Sequence, residues 1–136
     1  MVTYEKFPHL FKSETGLDYI FDEIKELNVE LYDDFLRINA NSFLPKRTME
    51  LAKILNLSFD TLKIKGLVNR WGSCSSKKII TLNYRLMQFE PILIEYVIVH
   101  ELCHLLEMNH SSKFWKLVAQ IFPNYLELRK RLSEYR

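Results

Sequence analysis

From Ile92 to Leu106 the chain reads ILIEYVIVHELCHLL, apolar at nearly every turn. A helix that is apolar on all sides has to be enclosed by the rest of the fold. This stretch is therefore expected to be a central buried helix, with Pro91 inside its first turn, where a missing N–H is harmless. The run Ile92–Val99 is interrupted by Glu95, too short and too charged to span a bilayer, and no membrane association is expected. His100, Glu101 and His104 also lie on this helix, and three such polar groups are costly to bury without a common partner.

Their spacing suggests that partner. Residues four apart on a helix lie one above the other, so the rings of His100 and His104 can converge on a single ion. Zinc suits them, because its tetrahedral sphere accepts imidazole nitrogen. Glu101 flanks that direction, within reach of a water on the open face, and Cys103 lies on the opposite flank. His110, six residues after His104, is the candidate third ligand, leaving one position open for chemistry. The expected chemistry is hydrolysis, with a zinc-activated water attacking a carbonyl and Glu101 as general base. For His110 to return to the ion the helix must end before it. Asn109, which tolerates a left-handed backbone, is expected to end it as the residue after the C-cap.

The remaining elements can be placed by periodicity. Ile20, Ile24, Leu27, Leu31 and Phe35 recur at helical steps, with a break near Asn28–Val29, and a second helix is expected from Lys46 to Asn56, entered after Pro45. TMELAKILNLSFDTLKIKG resembles a DNA-reading helix-turn-helix, but Leu62 and Ile64 alternate with Lys63 and Lys65, the period of a strand. A second strand over Ile79–Tyr84 would complete a hairpin or part of a small sheet. Ser111 is placed to cap a helix that stops before Pro123, and Asn124 to cap a basic final helix.

With 136 residues, one domain is expected. Two cysteines make no disulfide framework, and the N-terminus lacks the order of a secretion signal, so a cytoplasmic location is expected. Residues 1–45 carry nine acidic and four basic side chains, whereas 46–85 carry nine basic and two acidic. The basic stretch is either a solvated face or a surface for DNA or another polyanion.

Two segments, RWGSCSSKKIITLNYRL (Arg70–Leu86) and YVIVHELCHLLEMNHSSKFW (Tyr96–Trp115), resemble the YgjP-like zinc metallopeptidase family, related to the SprT-like proteases. The resemblance spans residues 44–132 and leaves 1–43 as an acidic, mainly helical segment. It implies an α+β, zincin-like fold, with a small sheet packed on the active-site helix and other helices flanking it. It also implies one Zn2+ on His100, His104 and His110, Glu101 as general base, and a peptide or protein substrate. In that setting Trp71–Asn83 would supply a strand edge that holds peptide by main-chain pairing, although Trp71 and Cys74 also suit simple packing. Candidates for contacting substrate are Arg70, Trp71, Asn83, Tyr84 and Arg85, and for the oxyanion Arg70, Asn83, Tyr84 and Arg85, unranked. The alternative functions are a nucleic-acid-associated zinc module and a zinc hydrolase of a non-peptide amide.

Overall fold

The computed structural model describes residues 29–135. Its elements in order are α1 (Val29–Leu55), β1 (Thr61–Lys65), β2 (Gly72–Cys74), β3 (Ile79–Asn83), a 3-10 helix (Tyr84–Gln88), α2 (Pro91–Cys103), α3 (Ser112–Ile121) and α4 (Tyr125–Ser133). The architecture is α+β: a three-stranded sheet in the order β1-β3-β2 beside helix α2, with α1, α3 and α4 around it. No helix among the described residues is long and apolar enough to cross a membrane.

Helix α2 is the centre of the core, as its composition requires. Leu93, Ile94, Ile98, Val99 and Leu102 are all fully buried. Glu90 stands at its N-cap position without a side-chain capping bond, and Pro91 opens its first turn. Its one buried acid outside the histidine motif, Glu95, receives two bonds from Arg47 of α1, one of them at 2.7 Å. This pair fixes α1 against α2.

Three expectations about the fold need correction. The helices expected on either side of Pro45 are one continuous helix, with Pro45 inside it. Proline there removes the bond to the carbonyl of Asn41. Asn41 is exposed, so water can serve that carbonyl, while Phe43, Leu44, Arg47 and Thr48 are buried around the site. Of the first expected helix, Ile20, Ile24, Leu27 and the break at Asn28 lie outside the described residues. The helix ends at Asn56, which takes a left-handed φ of 57°. The amides of Asn56 and Leu57 then bond back to Lys53 and Ala52, a Schellman closure.

The second correction concerns the sheet. β1 and β3 do not form a hairpin; they pair in parallel, Thr61 beside Ile79 through Lys65 beside Asn83. The hairpin partner of β3 is the short β2, with Gly72 opposite Leu82 and Cys74 opposite Ile80. Periodicity could not reveal a three-residue strand. The tight turn between β2 and β3 is stabilised by Ser75, whose hydroxyl accepts from the amides of Lys77 and Ile79. Tyr84, expected in the strand, begins the 3-10 helix instead, which Asn83 caps by accepting from the Arg85 amide.

The third concerns the end of α2. The left-handed residues among those described are Asn56 and Lys78, so Asn109 does not make the turn. The helix ends earlier. Leu105 and Leu106 bond to carbonyls three residues back, which tightens the last turn before the chain unwinds towards His110.

Candidate metal centre

His100 is in the last turn of α2, His104 is its C-cap residue, and His110 arrives from the loop before α3. One ring nitrogen from each lies within 4.8 Å of the others. The Nε2 atoms of His104 and His110 are 3.1 Å apart, and those of His110 and His100 are 3.2 Å apart. A tetrahedral ion with bonds of about 2.0–2.1 Å to nitrogen separates its ligands by roughly 3.3–3.4 Å. Two of the three separations therefore match the edges of such a site, and the third is within 4.8 Å. Tautomer agrees as well: His104 Nδ1 lies 2.9 Å from the carbonyl of Glu107, which can only accept, so Nδ1 carries the proton and Nε2 keeps its lone pair.

Aromatic side chains of α3 form the floor. Ser111 accepts from the Phe114 amide and starts that helix. Phe114 then stacks on His104 at 4.2 Å, and Trp115 stacks on His110 at 5.6 Å. Burial pushes the His100 imidazole pKa down to about 3, with the neighbouring histidines and Arg129 adding to the effect. It lowers that of His104 too. The two rings are thus neutral at pH 7, the form that binds a cation.

Glu101 is 6% exposed. Burial raises its pKa to about 8, against a smaller opposing pull from Arg70. Gly72 of β2 lies directly against it: a Cβ at residue 72 would sit 2.9 Å from Glu101 Cγ and 3.1 Å from Oε2. The glycine is what lets the sheet come this close to the carboxylate.

A cleft of about 610 Å³ opens beside the histidines. Arg70, Trp71 and Gly72 line one wall, and Trp115, Arg129 and Leu132 are among the residues lining the rest. Of the five candidates for substrate contact, the structure brings only Arg70 and Trp71 to this cleft. Asn83 is buried, and its amide donates to the carbonyls of Leu67 and Arg70, holding the loop that leads into β2. Tyr84 is buried on another side, its hydroxyl donating to Asp33 at 2.5 Å. Arg85 lies 3.6 Å from the same carboxylate. All three follow from β3 ending at Asn83 and turning into the 3-10 helix.

Both thiols are held protonated. Burial, with Glu101 adding repulsion, raises Cys74 and Cys103 to about 11, which argues against either as a nucleophile. Sequence reasoning passed over Gly72, Tyr96, Trp115 and Arg129. Tyr96 had a signal, one turn before His100 on the same helix face. Arg129 had none, because only tertiary packing brings α4 to the cleft.

Comparison with known proteins gives a metallopeptidase family and fold. The family pattern described as YgjP-like, metallopeptidase domain, matches residues 11–135. The metallopeptidase zymogen of Pyrococcus abyssi abylysin is 25% identical, with a TM-score of 0.60 over 68% of this chain and 94% of that one. The metallopeptidase zymogen of Methanocaldococcus jannaschii jannalysin is 26% identical, with a TM-score of 0.57 over 65% of this chain and 91% of that one. No curated protein sequence matches.

Proposed function

The chain belongs to the YgjP-like metallopeptidase family, and on that premise we propose that it is a zinc peptidase whose ion is held by His100, His104 and His110. The observation that carries the reading is the convergence of three histidine ring nitrogens within 4.8 Å of one another, two of the pairs at tetrahedral-edge spacing, beside a cleft. Zinc bound there would polarise a peptide carbonyl and lower the pKa of a water from 15.7 towards about 7.

The chain's own residues do the rest. Glu101 takes the proton from the attacking water and returns it to the departing amine. Gly72 leaves the space in which the carboxylate is held. Strand β2 is at the edge of the sheet, so its outer main-chain groups can pair with an extended peptide lying along the cleft. Phe114 and Trp115 hold the His104 and His110 rings in place and keep bulk water from behind them.

The polyanion alternative draws less support. Arg47 of the basic stretch is turned inward onto Glu95, and Arg85 is paired with Asp33. The proposal is tested by incubating zinc-loaded protein and its Glu101→Gln variant with a peptide library. At equal zinc content, the variant should lose at least ~100-fold in cleavage rate. A variant that cleaves as fast as the parent, or a zinc-loaded parent that cleaves no peptide, would refute it.

A further inference from the structure

The described residues include six arginines: 37, 47, 70, 85, 129 and 131. Four are paired with carboxylates: Arg37 and Arg85 with Asp33, Arg47 with Glu95 and Glu50, and Arg131 with Glu90. The two without a carboxylate partner among the described residues, Arg70 and Arg129, are the two that line the cleft beside the histidines. Unpaired guanidinium groups are ordinary on an open surface, but here they are confined to one concave site.

Arg129 is also held in position. Its guanidinium carbon lies 4.5 Å from the centre of the Trp115 ring, and that ring is 5.7 Å from the His100 ring. The guanidinium is therefore no farther from His100 than the sum of those distances, the reach of a side chain one or two residues along an extended peptide. Tyr96, which also lines the cleft, has a buried hydroxyl with no hydrogen-bond partner among the described residues. The Asn83 amide anchors the carbonyl of Arg70 at 3.2 Å. Glu101 is the only carboxylate lining the cleft among the described residues. Two arginines against one carboxylate leave the described lining with a net positive charge, which concentrates anions.

Resting on the peptidase reading above, we infer that the cleft selects peptides carrying an aspartate or glutamate within two residues of the bond cleaved, with Arg129 as the main carboxylate-binding group and Arg70 as the second. Arginine suits the task, because its fork of donors meets both oxygens of a carboxylate.

The test compares paired short peptides that differ only in Glu against Gln near the scissile bond. Their binding is followed by fluorescence anisotropy on zinc-loaded Glu101→Gln protein, which needs no turnover. The Glu member should bind about tenfold more tightly, and added salt should narrow the gap. Arg129→Gln should reduce the Glu/Gln ratio to near one, and Arg70→Gln should reduce it in part. Lys130→Gln, an exposed change on the same helix, should leave it intact. Circular dichroism and zinc content confirm that each variant is folded and loaded. Equal or absent binding of both members, or an unchanged ratio in Arg129→Gln, overturns the inference. The peptidase reading is decided separately, by Glu101-dependent cleavage.

Discussion

At Gly72 a single methyl group separates a working site from a displaced one. Alanine there would put a Cβ 2.9 Å from Glu101 Cγ, in the middle of the side chain rather than at its free end. The carboxylate would have to move, while no histidine atom is among the three nearest to that Cβ. Gly72→Ala is therefore expected to keep its zinc and its KM but lose between ~10-fold and ~100-fold in kcat, the usual effect of misplacing a reacting group by about an ångström. Steady-state kinetics with a metal assay on the same samples checks this, and parallel loss of zinc would show that the glycine serves packing instead. At this scale the sequence was most readable for groups whose partners are one helical turn away. His100, Glu101 and His104 could be placed from spacing alone. The closeness of Gly72 to Glu101 depends on a sheet-to-helix distance that spacing does not encode. Asn109 was misread for a related reason: the tightening of the turn at Leu105 and Leu106 already redirects the chain, so no left-handed residue is needed there.

Among elements, the joint between α1 and α2 carries an unusual load. The side chains of Arg47 and Glu95 are 4% and 1% exposed. Their mutual bonds, with Glu50 at 3.3 Å as an additional partner of Arg47, hold the arginine in its charged form. Removing one member strands the other in the core. Glu95→Gln is expected to cost about 3–5 kcal/mol in denaturant unfolding, whereas the double change Arg47→Met with Glu95→Leu should cost much less. A single variant no less stable than the double would show that the pair is not buried as described. Helix content was legible from periodicity and capping: Ser111, Pro91 and the stop before Pro123 all act as their chemistry suggests. Sheet order was not, since β1 and β3 pair directly in parallel although β2 lies between them in sequence. Local pattern reports which residues alternate, not which strands meet.

Over the whole molecule, the apolar helix α2 explains both stability and chemistry. Being enclosed, it brings the sheet, α3 and α4 to its histidine-bearing end, and their meeting forms the cleft. Glu101 and Gly72 face each other because β2 packs on α2, and the aromatic floor exists because α3 starts immediately after His110. The electrostatics follow the same plan: the other described arginines are paired with neighbouring acids, while Arg70 and Arg129, with no ion-pair partner among the described residues, line the cleft. Zinc-edge X-ray absorption on the zinc-loaded protein tests the central claim most directly. The account predicts one zinc per chain, bound by three imidazole nitrogens at about 2.0–2.1 Å and a light atom, with no sulfur in its shell. A sulfur ligand at about 2.3 Å, or an unchanged spectrum in His110→Ala, would contradict it.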